Sequence, residues 1–187
     1  LAKLVQMCDG LYDMATFFDI PMTSGKDSMK NDFKAEGVKI SVPPTILYSM
    51  VSKLDDVRNV VTSDFKTVGD WVYQIGETYD ELGASEFYKL YGELGANVPK
   101  VRKEQAKNLY LKIMKANEIQ LIASAHDLSD GGLAVALVEC VLGTDLGVQI
   151  DLNALGNTTD AVKLFAESHS RLVVSVKPQN SKAFEAI

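Results

Sequence analysis

The chain has 187 residues, 47% of them apolar, and its 25 acidic side chains outnumber 19 basic ones to leave a net charge of −6. That is ample material for the core of one large domain or two small ones. The acidic balance argues against nucleic acid, which needs a concentrated basic face, and no run reaches the roughly 20 apolar residues of a membrane span or looks like a signal peptide.

Leu4, Val5, Cys8, Leu11, Tyr12 and Ala15 recur at helical spacing and predict an amphipathic helix over residues 2 to 18. The chain opens inside this helix without an initiator Met and stops inside another that begins near Ser181, as a piece of a longer polypeptide would. Ile20 to Thr23 has the pattern of a short strand, followed by a loop, Ser24 to Asp32. The loop's Gly25 and Lys26 do not make a phosphate-binding P-loop, whose frame needs glycine where Ile20 stands and Ser or Thr where Asp27 stands. Lys26, Asp27 and Ser28 on one turn are able to meet phosphate or metal, and equally suit a solvated loop.

Lys39 to Val42 and Thr45 to Leu54 predict strands interrupted by Pro43 and Pro44, with Ile46, Tyr48 and Met50 on one face. Asp55 to Thr62 carries a short helical pattern. The polar stretch after it separates a first domain, residues 1–65, from a second, residues 66–187. The second opens with a strand, Trp71 to Ile75. Ser85 is the expected cap of a helix with an inward stripe of Phe87, Leu90, Tyr91 and Leu94 that stops at Gly95. Lys100 to Asn117 is a second helix, with Ala106, Leu109, Tyr110, Ile113 and Met114 inward and lysines outward.

Leu121 to Ala125 predicts a buried strand and Gly131 to Leu142 a helix apolar nearly all round, with Glu139 the main exception. Then come a strand at Gly147 to Leu152, a helix at Thr159 to Ala166, a strand at Arg171 to Val176 and the start of a last helix. The alternation gives an α/β (α+β) class, a mixed β-sheet layered with helices. Cys8 and Cys140 fall on apolar helical faces, as reduced core thiols of a cytosolic protein do. His126 and His169 are too few to suggest zinc.

The loop between the buried strand and the apolar helix is the candidate site. Asp130 or Ser129 would cap the helix, and Gly131 and Gly132 leave its N-terminus bare enough for phosphate oxygens. Two carboxylates would repel a bare polyphosphate, and Mg²⁺ removes the conflict by taking one or two carboxylates together with phosphate oxygens and water. Asp127 is then the metal ligand, with Ser129, Gly131 and Gly132 on the nucleotide and Lys26 a further phosphate contact. The same residues also fit a capped buried helix whose Asp127 and Asp130 only satisfy backbone N–H groups. Glu167 and Arg171 straddle a turn, where an exposed pair would contribute only ~0 to 1 kcal/mol.

His126 to Leu133, HDLSDGGL, resembles the signature of the C-terminal domain shared by aminoimidazole ribonucleotide synthetase, selenophosphate synthetase, thiamine-phosphate kinase and the FGAR amidotransferase, or FGAM synthase. IPMTSGKDSMKN (20–31), VPPTILYS (42–49), GASEFYKLYGELGANVP (83–99) and LFAESHSRLVVSV (164–176) resemble the second synthetase-like half of the last of these, in the same order.

The resemblance implies a C-terminal-like domain, truncated at its end and preceded by the tail of an N-terminal-like domain whose sheet pairs with the other half. It implies an ATP-dependent carbon–nitrogen ligase of purine biosynthesis, cytoplasmic, with FGAR as substrate and ATP or ADP with Mg²⁺ as cofactors. By position, Asp127 matches a Mg²⁺ ligand and Ser129 a nucleotide contact, whereas no catalytic residue, and no role for Asp27, Ser28, Glu167 or Arg171, is assigned. Neither Cys8 nor Cys140 has the setting of a glutaminase nucleophile. Ammonia would come from a glutaminase module elsewhere in the chain or complex, and this piece should be inactive alone. The alternatives are a non-catalytic half that holds a structural nucleotide, and a small-molecule kinase of the same superfamily.

Overall fold

The structure, a computed structural model, describes residues 2–26 and 31–187. It divides into two compact units, residues 1–53 and 54–187.

In the first unit, helix α1 (Ala2–Phe17) forms over the predicted span, and Gly10 does not break it. None of its described residues is fully buried; Leu11 and Ala15 of the apolar stripe are half-buried, and with Cys8 and Tyr12 they line a hollow shared with Ile20, Pro21 and Met22. The expected strand at Ile20 to Thr23 does not form. A hairpin appears instead: β1 (Phe33–Ala35) pairs antiparallel with β2 (Val38–Ile40), with Phe33 opposite Ile40. Glu36 and Gly37, both at positive φ, make its two-residue turn, the geometry that best matches strand twist. Thr45 to Leu54, expected as a strand, has no ladder and stays exposed, Leu47 and Val51 almost completely. Its side-chain pattern suits a strand, but an isolated strand has no backbone partner to hold it.

In the second unit, the predicted helix at Asp55 to Thr62 reduces to one 3₁₀ turn, Val57–Asn59, capped by Asp56. A three-stranded antiparallel sheet then organises everything: β3 (Trp71–Ile75) and β4 (Ile122–Asp127) flank β5 (Leu172–Val176). All described pairings are antiparallel, so the class is α+β and the expected parallel component of the sheet is absent from the described residues.

Period-two alternation sends β5 to two cores. Val173 packs with Leu133, Ala136, Leu137 and Cys140 of α4 (Gly132–Val141) on one face. On the other face Val174 and Val176 meet Ala116 of α3 (Lys103–Glu118) and Phe184 of α6 (Ser181–Glu185). A third cluster joins Leu82 to Val162 and Ala166. Phe87 of α2 (Glu86–Leu90) stacks on Phe165 of α5 (Asp160–Phe165) with ring centroids 4.8 Å apart.

Ser85 and Thr159 cap α2 and α5 through their hydroxyls, at 3.3 Å from the Tyr88 and Val162 N–H groups. Helix α2 ends earlier than Gly95 predicts, because Gly92 turns the chain at φ +70°. Gly147 to Leu152 forms no strand, and a 3₁₀ turn (Leu152–Leu155) follows it. No helix among the described residues is long and apolar enough to cross a membrane.

Candidate functional site

Strand β4 delivers its last residue, Asp127, to the rim of the sheet, and five residues later α4 begins. The strand is fixed on both sides. Ser124 Oγ lies 2.6 Å from Ser175 Oγ across the β4–β5 pair, and the Ala125 N–H donates to the Thr62 carbonyl at 3.1 Å. His126 is held in place as well, with Nε2 3.2 Å from the Glu139 carboxylate of α4 and Nδ1 2.6 Å from the Asp127 carbonyl. Glu139, the one acidic residue of an apolar helix, thus meets the histidine of the loop.

The Asp127 side chain is 68% exposed. Its Oδ2 accepts the Ser129 hydroxyl, so aspartate and serine point to the same place. Beyond them the turn differs from expectation. Neither Ser129 nor Asp130 caps α4; the cap position is Gly131, in the left-handed region at φ +78°, where no side chain of the turn serves the helix. The Gly131 N–H instead donates to Glu167 Oε1 at 2.8 Å, and the Gly132 N–H to the Ser129 carbonyl at 3.0 Å. The glycine pair's N–H groups, expected to receive phosphate, are therefore engaged inside the protein. Gly132 has its own reason to be glycine: at φ +63° a Cβ would lie 2.6 Å from the Ala166 carbonyl oxygen and 2.9 Å from that of Leu164.

Those carbonyls belong to the segment that anchors the loop. Arg171 is only 2% exposed, which corrects the surface pair expected with Glu167. Its guanidinium donates to the Ser168 carbonyl at 2.8 Å, to Thr78 Oγ1 at 3.0 Å and to the Ala166 carbonyl. Burial pulls its pKa down to about 10, with the nearby Glu81 and Glu167 charges opposing the shift; it remains a cation at neutral pH. Its own carbonyl accepts the Leu128 N–H at 3.0 Å. Glu167 makes a different contact: one carboxylate oxygen takes the N–H groups of both Gly131 and Glu86, the latter at 2.9 Å.

A second buried charge escapes the sequence altogether. Glu81 is 2% exposed and pairs with Arg102 at 2.6 Å, while the Arg102 guanidinium lies 3.5 Å over the Tyr79 ring. Burial pushes the Glu81 carboxyl up, but the Arg102 hydrogen bond and charge, with help from Ser168, outweigh it and hold the pKa below the usual range. The partners sit 21 residues apart across an irregular stretch, so no periodicity announces them. An acidic residue directly before Leu82, itself a core residue, is the one available hint.

Asp127, Ser129, Gly131 and Gly132 thus share one turn of the second unit. Lys26 lies in the first unit, and Asp27 and Ser28 fall outside the described residues. Among the described residues no three His, Cys, Asp or Glu side chains gather as a ready-made metal cluster.

Residues 67–187 match the family model of the AIR synthase related protein, C-terminal domain. The chain belongs to this family. Solved structures share the fold. Thermotoga maritima PurL complexed with FGAR superposes with a TM-score of 0.59 at 23% identity, over 68% of this chain and 23% of that one. Phosphoribosylformylglycinamidine synthase II from the same organism gives 0.57 at 21% identity, over 68% and 21%. PurL complexed with ADP gives 0.54 at 20% identity, over 70% and 20%. At these identities the likeness is one of fold, and the chain spans less than a quarter of each relative's length.

Proposed function

We propose that the chain is part of an ATP-dependent ligase converting FGAR to FGAM, and that its share of the work is to hold a magnesium nucleotide on the turn from Asp127 to Gly132. The observation that carries this is the exposed Asp127 carboxylate, aligned with the Ser129 hydroxyl at the end of β4, in a member of the AIR synthase related family. Relatives solved with FGAR and with ADP support the choice of ligands.

The donor chemistry fits Mg²⁺, a hard cation satisfied by one or two carboxylates with phosphate oxygens and water for the rest. Asp127 would be its protein ligand here, and Ser129 would hold the nucleotide beside it. Gly131 and Gly132 serve by letting the turn close against residues 164–167.

The ligase reaction transfers the γ-phosphoryl group of ATP to the amide oxygen of FGAR, making that oxygen a leaving group. Ammonia from a glutaminase module then displaces phosphate. Bound magnesium would offset charge on the transferred group. What this chain's residues do is narrower: they fix the position of one carboxylate and one hydroxyl. The second reading, a structural half of a two-half enzyme that holds a nucleotide without turning it over, keeps the same roles for Asp127 and Ser129. The exposed strand-like stretch Thr45 to Leu54 of the first unit is the candidate surface for pairing with the other half. The whole enzyme would work in the cytoplasm.

Calorimetry of ADP binding with and without Mg²⁺ tests the site. The expected result is binding that requires Mg²⁺ and weakens at least about tenfold in Asp127→Asn with an unchanged unfolding midpoint. Equal affinity in the variant, or magnesium-independent binding, would refute it.

A further inference from the structure

We infer that Glu167 is a positioning residue for the Asp127–Ser129 turn, acting as an internal anion that fills the seat at the start of α4. The link to a nucleotide rests on the function proposed above; the brace itself does not. One carboxylate oxygen accepts two backbone N–H groups, from Gly131 at 2.8 Å and from Glu86 at 2.9 Å. Both belong to helix starts, where unpaired N–H groups and the helix dipole favour a negative charge, and an ionised acceptor makes such bonds short and strong. The two amides are 45 residues apart in sequence and share no ladder, so Glu167 is what joins them.

The rest of the segment is built to keep that carboxylate still. The Glu167 N–H reaches the Glu81 carbonyl at 3.5 Å, and Ser168 Oγ accepts the Tyr79 N–H at 3.1 Å. Buried Arg171 ties down the carbonyls on either side of Glu167, those of Ala166 and Ser168. In turn the loop after β4 meets this segment at each end, Leu128 N–H on the Arg171 carbonyl and Gly131 N–H on Glu167. Asp127 is held in the strand before that span, and the Ser129 hydroxyl that orients its carboxylate lies within it. A phosphate group cannot share the Gly131 N–H with a resident carboxylate, so within this turn the nucleotide falls to Asp127 and Ser129, whose position Glu167 sets.

The test uses the full chain with Glu167→Ala and the near-isosteric Glu167→Gln. The Gln variant keeps an acceptor oxygen and guards against loss of fold. Backbone NMR with hydrogen exchange should show the Gly131 and Glu86 amides losing protection together in Glu167→Ala, by about tenfold or more, and recovering in part in Glu167→Gln. Magnesium-dependent ADP affinity should fall about tenfold in Ala and recover partly in Gln. Unchanged amides in the Ala variant would overturn the brace. Loosened amides with unchanged ADP affinity would overturn the positioning role. If the wild-type chain binds no ADP, the nucleotide site falls instead, and concerted loss of the two amides would still uphold Glu167 as the brace of the turn.

Discussion

Two backbone segments of the second unit approach closely at Gly132, and replacing it with alanine gives the sharpest check on how α4 is seated. The added Cβ would meet the Ala166 oxygen at 2.6 Å, the Leu164 oxygen at 2.9 Å and the Phe165 carbonyl carbon at 3.0 Å. All three are backbone atoms at the end of α5 and cannot swing away as a side chain would. The left-handed conformation of residue 132, φ +63°, costs an alanine about 1–2 kcal/mol. Forced overpacking adds about 1–3 kcal/mol, giving roughly 2–5 kcal/mol in all.

Gly143→Ala is the internal control. Its φ is +77° and nothing lies within 4 Å of the place a Cβ would take, so only the conformational cost of about 1–2 kcal/mol applies. Urea unfolding followed by circular dichroism reads both. At a slope of about 2 kcal/mol per molar urea, Gly132→Ala should lower the midpoint by about 1–2.5 M and Gly143→Ala by less than about 1 M. Equal midpoints for the two variants would show that α4 does not sit against the α5 carbonyls, and the anchoring of the candidate loop would go with it.

Arg102→Met leaves the Glu81 carboxylate buried without its cation, a loss of about 3 kcal/mol in urea unfolding; adding Glu81→Leu should recover most of it. Because Arg102 holds the Glu81 carboxyl below its ordinary 4.5, the pair's contribution is complete above that pH and disappears as pH falls through the lowered folded value. A pH series in which Arg102→Met keeps the wild-type acid slope would refute the pair. Between the two cysteines, only exposed Cys8 should react with a thiol reagent in the native chain. Cys140, fully buried, has its thiol pushed up to about 11 by burial first and then by the Glu139 and Asp64 charges. Stability linked to its proton is present below the ordinary value of 9.0 and is lost as pH rises from there toward 11. Two equally fast thiols at neutral pH would contradict the buried position.

Where burial and periodicity coincide, the sequence already reveals the element. Helix α3, helix α4 and strands β3, β4 and β5 stand within a few residues of their predicted limits, because each carries an apolar face that the two cores of the second unit cover. Thr45 to Leu54 and Gly147 to Leu152 carry equally good strand patterns and form no ladder. A side-chain pattern records which face would be buried, but it cannot supply the neighbouring strand's hydrogen bonds. Of hairpin β1–β2 only the second strand is anticipated, as Lys39 to Val42; β1 is not, since the ladder residues are all exposed and give no alternation to find.

In the candidate site, Asp127 and Ser129 are legible as a spacing within one turn. Glu167 and Arg171 are visible as charges flanking a turn, but the Gly131 and Glu86 amides that Glu167 binds, the burial of Arg171 and the Glu81–Arg102 pair are disclosed only by the fold. The loop's glycines show a subtler limit. They are identifiable as conformationally special, yet the partner of Gly132, a carbonyl rather than a phosphate, belongs to a segment more than 30 residues away.

The order of the sheet also governs how the molecule comes into being. The central strand β5 is the last of the three in the chain, and its neighbour β3 pairs with it across a separation of 105 residues, from Trp71 to Val176. On a ribosome, therefore, β3 and β4 emerge with no ladder to join and their apolar faces uncovered. Until residue 176 has cleared the exit tunnel the nascent second unit has no sheet, and its late closure over such long loops predicts slow, chaperone-dependent maturation.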